Sequence, residues 1–252
     1  MPKQLMGKRG TDIALAVLGL VGASPVLIPV MVGVWRQDRH SPFYIAARVG
    51  KDDRDFRMAK LRSMIVNAHT TGVDSTGASD ARITPIGKFI RKYKLDEVVQ
   101  LWNVLKGDMS LVGPRPNVRR ETDLYTAQER RLLSVKPGIT DFSSIVFSDE
   151  GEILEHEADP DIAYNQLIRP GKSRLGLFYV DRMSLRVDIE LIGLTAVAVF
   201  SRPRALNGVV RLLQRLDADP DLVELASRQH PLEPAPPPGA TTIVTTRDEV
   251  VA

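Results

Sequence analysis

The sequence predicts an α+β protein that is attached to a membrane through its N-terminal segment. Three observations predict this class: a long uncharged apolar segment, helical spacing of apolar residues between Thr84 and Gly107, and short strand-like runs on both sides of that helix. The chain has 252 residues, a net charge of +3 and no cysteine. Disulfides and thiolate metal sites are therefore excluded, and the mildly basic charge suits anionic partners such as phosphates or acidic lipid headgroups.

The apolar segment carries no charge from Ile13 to Trp35 and is long enough to cross a bilayer. Ser24 and Pro25 lie near its middle, where the proline favours a break or a kink in the helix. Cations flank both ends, whereas a simple spanning helix has its positive charge on one side. The residues alone leave two topologies open. One is a helix–break–helix that returns to the same side, with the Ser24 hydroxyl bonding a freed carbonyl, and the other is a kinked spanning helix.

The composition divides the chain into three regions. Residues 1–38 form the membrane segment, residues 39–216 a compact domain, and residues 217–252 a proline-rich tail that we expect to be disordered. Within the domain, Thr84 is a favourable helix N-cap and Gly107 a natural helix stop. A later helix, with apolar residues on one face and arginines on the other, either lies on the membrane surface or packs on its own protein.

An adjacent acid pair, Asp96 and Glu97, is the first candidate for chemistry. Neighbours on a helix point about 100° apart, so the two carboxylates can approach one phosphate from two sides. One acid then suits a nucleophile and the other a ligand of Mg²⁺, which commonly bridges protein to substrate phosphate. An isolated acid pair is far more often a solvated helix face, so the interpretation depends on the residues around it.

The neighbouring cations favour a phosphate site. Arg115 stands between Pro114 and Pro116, which stiffen the backbone, and a preset guanidinium suits a two-pronged grip on phosphate. Lys60 and Arg62 add two cations, although the same pair also suits a solvated strand face. The acid pair and these cations together predict a site that binds phosphate groups.

The other motifs in the sequence are weaker indicators of function. Asp53 and Asp55 have the Asp-x-Asp form of metal-using glycosyltransferases, but they lie in a short charged turn. The "PGKS" at 170–173 lacks the first glycine of a phosphate-binding P-loop. His156 stands between two glutamates and is expected to be solvent-exposed. Basic residues are not interleaved with aromatic ones, so we predict no nucleic-acid partner.

Five stretches in a fixed order resemble the bacterial sugar transferases, the polyprenyl-phosphate sugar-1-phosphate transferases. The resemblance covers roughly residues 5 to 200. Its blocks are "KRGTDIALAVLGLVGASPVLIPVMV", "FRMAKLRSM", "RITPIGKFIRKYKLDEVVQLWNVLKGDMSLVGPRP", "LLSVKPGIT" and "YVDRMSLRVDIELI". A match of this length is specific, unlike any one of its pieces.

The resemblance implies a monotopic membrane protein with an N-terminal re-entrant helix–break–helix and a mostly helical cytosolic catalytic domain containing short strands. It favours the hairpin over the spanning helix, at the cytoplasmic face of the bacterial inner membrane. The implied partners are a UDP-sugar donor, an undecaprenyl phosphate acceptor and inner-membrane lipids, and a homodimer is compatible. The implied products are UMP and undecaprenyl-diphosphate sugar, as the first membrane step of glycoconjugate synthesis (exopolysaccharide, capsule or O-antigen).

The resemblance also implies residue roles. Asp96 matches the family's nucleophile, which would hold the phosphosugar covalently, and Glu97 matches the acid associated with Mg²⁺. Arg115 would hold substrate phosphate. Lys60, Arg62 and Arg91 are further candidates for holding that phosphate.

The chain departs from the family pattern at three positions. Ala46 stands where glutamine is usual, Val99 where proline is usual, and Asp141 where glycine is frequent. We expect Val99 to affect helix packing, and Ala46 and Asp141 are candidates for altered donor binding. The alternative function is a non-catalytic membrane-bound scaffold of the same family that binds lipid phosphates. No motif encodes the sugar.

Overall fold

The computed structural model describes residues 3–68, 80–155 and 157–246, with side chains from residue 7 onward. The described helices and strands are α1 (Lys3–Asp38), β1 (Phe43–Val49), β2 (Asp55–Leu61), α2 (Pro85–Lys92), α3 (Leu95–Val98), α4 (Leu101–Lys106), β3 (Ser110–Val112), α5 (Arg119–Asp123), β4 (Gly138–Thr140), α6 (Phe142–Val146), α7 (Glu150–Leu154), α8 (Pro160–Ala163), α9 (Arg169–Arg182), α10 (Leu185–Phe200), α11 (Arg202–Arg215) and α12 (Pro220–Ser227). Many helices and a few short strands confirm the predicted α+β class.

The N-terminal helix α1 continues through both of its prolines, Pro25 and Pro29. Pro25 has no N–H to donate to the carbonyl of Val21, and the Ser24 hydroxyl donates to that carbonyl instead, at 2.7 Å. The predicted bond of Ser24 is therefore present. The predicted helix–break–helix is not confirmed, because the residues stay helical across the proline. Within the described residues, α1 is the one helix long and apolar enough to cross a membrane.

The first turns of α1 belong to the folded domain. The Lys8 ammonium donates to Asp188 in α10 at 2.6 Å, and Asp12 accepts from the Ser110 hydroxyl in β3 at 2.9 Å. Ala16, one turn further on, is fully buried in the main hydrophobic core. The first turns of α1 therefore pack against the domain that follows them.

The C-terminal end of α1 is bound to the same domain. Arg62, which follows β2, pairs with both carboxylate oxygens of Asp38, and its Nη2 donates to Oδ1 at 2.8 Å. Its Nε also donates to the carbonyl of Ser41 at 2.8 Å. Both ends of the apolar helix are thus fastened to one folded unit.

Two small sheets organise the chain around the candidate site. Strands β1 and β2 form an antiparallel hairpin. Strands β3 and β4 are parallel, with Ser110 opposite Gly138 and Val112 opposite Thr140. A second, smaller hydrophobic core joins α1, β2, α2 and the end of α3, and its buried residues are Leu27, Val34, Ala59, Leu61, Ile90 and Val99. This core sets α3 against the membrane helix.

The helix predicted between Thr84 and Gly107 has the predicted ends but is divided into three pieces. The Thr84 hydroxyl accepts from the Gly87 N–H at 2.9 Å, and Gly107 ends α4 with a φ of 94°. Between them, Lys94 takes a left-handed conformation with a φ of 54°, which ends α2 and starts α3 in a new direction. The apolar spacing continues across this turn, so the sequence does not reveal it.

The tail expected to be disordered is ordered over its described part. Residues 220–227 form α12. Beyond it, the Thr126 hydroxyl donates to the carbonyl of Pro238 at 2.5 Å, and the Gln166 amide donates to the carbonyl of buried Val244 at 2.6 Å. Polar side chains of the domain satisfy carbonyls of the proline-rich chain, which composition alone does not show. The amphipathic helix α11 buries its apolar face, including Val209, on its own protein.

Candidate active site

The acid pair lies in the four-residue helix α3, whose position depends on Asn103 in α4. The Asn103 side chain accepts from the N–H of Ala59 at 2.9 Å and donates to the carbonyl of Arg57 at 2.7 Å. Both partners are in β2, so the α3–α4 segment is docked on that strand. Lys60 follows Ala59 in β2, which explains why it comes close to the acid pair.

The loop that carries Arg115 is held by backbone pairing between β3 and β4. The N–H of Gly113 donates to the carbonyl of Thr140, and the N–H of Gly138 donates to the carbonyl of Pro114, each at 3.0 Å. A Cβ atom on Gly138 would lie 2.1 Å from the nitrogen of Gly113, so only glycine permits this approach. Arg115 therefore projects from a fixed backbone, as the flanking prolines predict.

Arg115 and Glu97 form an ion pair across the site. The Nη2 atom of Arg115 donates to Oε1 of Glu97 at 2.7 Å, and both side chains are partly exposed. Burial opposes ionisation of Glu97, but the Arg115 guanidinium outweighs it and holds the pKa of Glu97 below its ordinary value. Glu97 in turn raises the pKa of Arg115. The candidate metal ligand and the candidate phosphate clamp are thus partners of each other.

Asp96 differs from Glu97 in having an unpaired oxygen. Its Oδ1 atom is buried and has no hydrogen-bond partner within the described residues. Burial raises the pKa of Asp96, the charge of Glu97 raises it further, and the Lys60 ammonium opposes both effects. A buried carboxylate oxygen without a donor is costly unless it serves a ligand or a reaction. Asp96 is therefore the acid that the fold leaves available.

Lys60 faces the acid pair from β2. Burial lowers its pKa to about 8, and the nearby Arg115 contributes in the same direction, while Asp96 and Glu97 oppose the shift. An ammonium with this pKa changes its charge close to neutral pH, which makes Lys60 the titrating cation of the site.

The two remaining predicted cations are placed differently. Arg91 donates from Nε to the Ser63 hydroxyl at 3.1 Å. Burial lowers the pKa of Arg91 and the charge of Asp96 opposes that shift, so Arg91 borders the acid pair. Arg62 is not brought to the site, because its guanidinium binds Asp38 at the end of α1. Strand pattern alone did not distinguish Arg62 from Lys60, since the partner of Arg62 lies far away in sequence.

The other predicted candidates are engaged elsewhere. Asp53 and Asp55 both pair with Arg119, at 2.5 Å and 2.7 Å, in an exposed turn. Asp141 caps α6 by accepting from the N–H of Ser144 at 2.7 Å. His156 lies outside the described residues.

Ala46 and Val99 are buried in the two hydrophobic cores, so the departure at Val99 acts on packing, as expected. Sequence reasoning missed two buried amides near the site, Gln100 and Asn103. In the sequence these two amides are recognisable as polar residues on the buried face of a helix that is otherwise apolar.

The acid pair suits a magnesium ion that is shared with substrate. No group of three or more histidine, cysteine, aspartate or glutamate side chains in the described part of the chain is arranged to hold a metal by itself. Mg²⁺ is commonly held by one or two carboxylates together with substrate phosphates. The Glu97 carboxylate, whose pKa is held below its ordinary value, fits that form of binding.

The comparison with known proteins identifies a family. The family model for "Bacterial sugar transferase" matches residues 3–202. A UDP-N-acetylgalactosamine-undecaprenyl-phosphate N-acetylgalactosaminephosphotransferase of Aeromonas hydrophila is 39% identical over 188 residues, which cover 73% of this chain and 41% of that protein. A UDP-glucose:undecaprenyl-phosphate glucose-1-phosphate transferase of Xanthomonas campestris pv. campestris is 36% identical over 207 residues, which cover 80% of this chain and 40% of that protein.

A shorter relative matches in a similar way. The exopolysaccharide production protein ExoY of Sinorhizobium fredii is 35% identical over 150 residues, covering 54% of this chain and 66% of that protein. The chain spans about two fifths of the length of the Aeromonas and Xanthomonas relatives. The family model nevertheless matches most of the present chain, including α1, the acid pair and the arginine loop. The chain belongs to the bacterial sugar transferase family.

Proposed function

We propose that this protein transfers a sugar-1-phosphate from a UDP-sugar to undecaprenyl phosphate and releases UMP. The observation that carries the proposal is the unpaired, buried Oδ1 atom of Asp96 among the cations of Lys60, Arg91 and Arg115. A nucleophile needs a free electron pair, and a diphosphate needs positive charge around it. The printed names of the Aeromonas and Xanthomonas relatives describe the same type of transfer.

The reaction runs in two displacements at one phosphorus atom. Oδ1 of Asp96 attacks the phosphorus next to the sugar, a new P–O bond forms, and the bond to UMP breaks with its electron pair leaving on UMP. An oxygen of undecaprenyl phosphate then attacks the same phosphorus, and the Asp96 carboxylate leaves. No net proton is required, since each step exchanges one anionic oxygen for another. The covalent aspartyl phosphosugar separates one difficult transfer into two easier ones.

Glu97 would hold Mg²⁺ together with substrate phosphate. The metal, when bound, neutralises the diphosphate so that a carboxylate can approach it. Arg115 is positioned to hold the phosphate that is being transferred, and the paired backbone of its loop fixes its direction. Lys60 adds a second positive charge from β2. Arg91 borders the same site.

We propose a monotopic attachment to the cytoplasmic face of the bacterial inner membrane. Both ends of α1 bind one folded unit, through Lys8 and Asp12 at one end and Asp38 at the other. Because both ends bind the same unit, we propose that α1 bends near Ser24–Pro25 within the bilayer and returns to the side it entered, while its residues stay helical across the proline. The outer face of α1 exposes large apolar side chains such as Leu18 and Val21, each 66% exposed, which suit lipid.

The site suits a class of donor and leaves the sugar open. The relatives' names specify N-acetylgalactosamine in one case and glucose in another, so the family accommodates more than one sugar. The relative named as an exopolysaccharide production protein favours a role in surface polysaccharide synthesis. Donor choice depends on the shape of the sugar pocket, which the acid pair and its cations do not determine.

UMP release tests the proposal directly. Full-length protein in lipid nanodiscs is incubated with undecaprenyl phosphate, Mg²⁺ and each member of a panel of UDP-sugars. Wild type is expected to release UMP from at least one donor, and Asp96→Asn, which keeps the shape but removes the nucleophile, is expected to release none. Intact-mass analysis should show a phosphosugar on wild type alone. A folded wild type that releases no UMP from any donor would refute the reaction and favour the scaffold function.

A further inference from the structure

Gln100 is the one buried amide near the site that lacks a partner within the described residues. It lies in the turn between α3 and α4, is 1% exposed, and its Nε2 atom has no hydrogen bond. Burying an amide donor without a partner destabilises the folded state. Nearby Asn103 shows the usual outcome, since both ends of its amide are bonded to β2.

The backbone places Gln100 about one turn after the acid pair. Gln100 has helical angles, its N–H donates to the carbonyl of Glu97 at 3.0 Å, and its carbonyl accepts from the N–H of Val104 at 3.1 Å. Asp96, before Gln100 in the chain, interacts with Lys60 in β2, and Asn103, after it, is bonded to β2. The buried amide of Gln100 thus lies between two residues that face the strand that carries Lys60.

Two unpaired atoms of opposite character thus lie about one turn apart in the α3–α4 segment. Oδ1 of Asp96 is an acceptor and Nε2 of Gln100 is a donor, both are buried, and they make no hydrogen bond to each other. A bond between them would satisfy both groups and would weaken Asp96 as a nucleophile. A phosphate ester can satisfy both groups at once. One of its anionic oxygens accepts a hydrogen bond from the Gln100 amide, while its electrophilic phosphorus contacts the Asp96 carboxylate.

We propose that Gln100 is a substrate-binding residue of this site, whose carboxamide donates a hydrogen bond to an oxygen of the phosphoryl group that is transferred to Asp96. The inference rests on the proposed function and adds a residue to it. A neutral donor stabilises the negative charge that develops on the phosphoryl oxygen during transfer. Because it adds no further positive charge, it does not strengthen the binding of the anionic product.

A purely structural Gln100 predicts different behaviour. If the amide only fills space, Gln100→Met, which keeps the length and removes the unpaired donor, leaves catalysis unchanged. If the amide instead supports the fold, the same variant loses thermal stability. A ligand role alone predicts a catalytic loss without a loss of stability.

The experiment compares Gln100→Met with wild type and with the control Asn165→Leu. Asn165 is an equally buried amide away from the site, and it is bonded to Asp161 and Arg169. For Gln100→Met we expect an unchanged or higher unfolding temperature, a kcat for UMP release about 10–100-fold lower, and a slower rise of the phosphosugar adduct. For Asn165→Leu we expect a lower unfolding temperature and an unchanged kcat per folded molecule.

Calorimetric titration with UDP and Mg²⁺ separates this inference from the proposed function. UDP carries the phosphate that we place beside Gln100, and we expect Gln100→Met to weaken its binding about 5–10-fold, the effect of roughly 1 kcal/mol. A wild-type protein that binds UDP but never releases UMP would refute the proposed reaction. The role of Gln100 would then be decided by comparing the UDP affinities of Gln100→Met and wild type. Unchanged kcat and unchanged UDP affinity in Gln100→Met would overturn the inference, as would a fall in unfolding temperature equal to that of the control.

Discussion

Arg115 and Glu97 are joined by a charged hydrogen bond of 2.7 Å between Nη2 and Oε1. The bond links the rigid loop after β3 to the helix that carries Asp96. Without ligands, the candidate metal ligand and the candidate phosphate clamp neutralise each other. Binding of Mg²⁺ and donor must therefore exchange this one ion pair for two new contacts, which places the pair at the centre of the site's electrostatics.

Removing the arginine is expected to strengthen metal binding while it weakens catalysis. In Arg115→Gln, the Glu97 carboxylate loses the cation that competes with the metal, so Mn²⁺, used as a probe, should bind more tightly in the absence of nucleotide. UMP release should fall about 10²–10³-fold, because the clamp on the transferred phosphate is lost. Paramagnetic resonance titration measures the first effect and the UMP assay the second. Unchanged or weaker Mn²⁺ binding would contradict this competition, and Glu97→Gln in the same background should abolish the gain.

The activity should have a basic limit set by Lys60. Its pKa is lowered to about 8, so the ammonium is charged below that pH and neutral above it. A phosphate-binding cation supports activity only while charged, so kcat/KM for the donor should fall as the pH rises through about 8. In Lys60→Arg the cation stays charged, and the fall should move to higher pH. A wild-type profile that stays flat to about pH 10, well past the lowered pKa, would remove Lys60 from phosphate binding.

The lowered pKa of Lys60 also predicts the direction in which the free energy of unfolding changes with pH. Between pH 8 and 10.5 the folded chain has lost the Lys60 proton and the unfolded chain still holds it. The unfolded state binds more protons there, so the contribution of Lys60 to stability rises with pH. The measurement is denaturant unfolding of wild type and Lys60→Met across this pH range, since the difference between their free energies of unfolding isolates the contribution of Lys60. A contribution that falls with rising pH would contradict the lowered pKa.

Arg62 should act on stability and leave catalysis intact. Its ion pair with Asp38 fastens the end of α1, and the pair is only partly shielded from water. Arg62→Ala is expected to lower the free energy of unfolding, with donor KM and kcat unchanged in the folded fraction. Asp38→Asn serves as the matched change at the other partner and should have a similar effect. A raised donor KM in Arg62→Ala would restore Arg62 to the phosphate-binding role that the sequence first suggested.

The topology is testable with single cysteines, because the chain has none of its own. A side chain added at Gly7 would meet open space and His40 is exposed, so Gly7→Cys and His40→Cys report on the two ends of α1. A membrane-impermeant maleimide should label both in inverted inner-membrane vesicles and neither in intact spheroplasts. Labelling of the two positions from opposite sides would establish a spanning helix instead.

Local sequence signals predicted the parts of the structure that depend on local chemistry. Thr84 and Gly107 end their helix segment as expected, because capping depends on a residue's own side chain or its own φ angle. The rigid setting of Arg115 also followed from its neighbours.

The parts that sequence reasoning missed depend on distant partners. The capture of Arg62 by Asp38 and the ordered proline-rich tail each arise from contacts between segments that are separated in the chain, and the left-handed turn at Lys94 has no signal in the apolar spacing. Asp96 and Glu97 were predicted together, but their different environments were not. One acid faces Arg115 and the other has an unpaired oxygen, and only the three-dimensional arrangement separates them.

The contact between Lys8 and Asp188 joins residues 180 positions apart. During synthesis, the first turn of α1 leaves the ribosome long before α10 exists, and the apolar remainder of α1 follows at once. The contact between Lys8 and Asp188 can therefore form only after α10 has been made, so the start of α1 is without this partner during most of the synthesis of the chain.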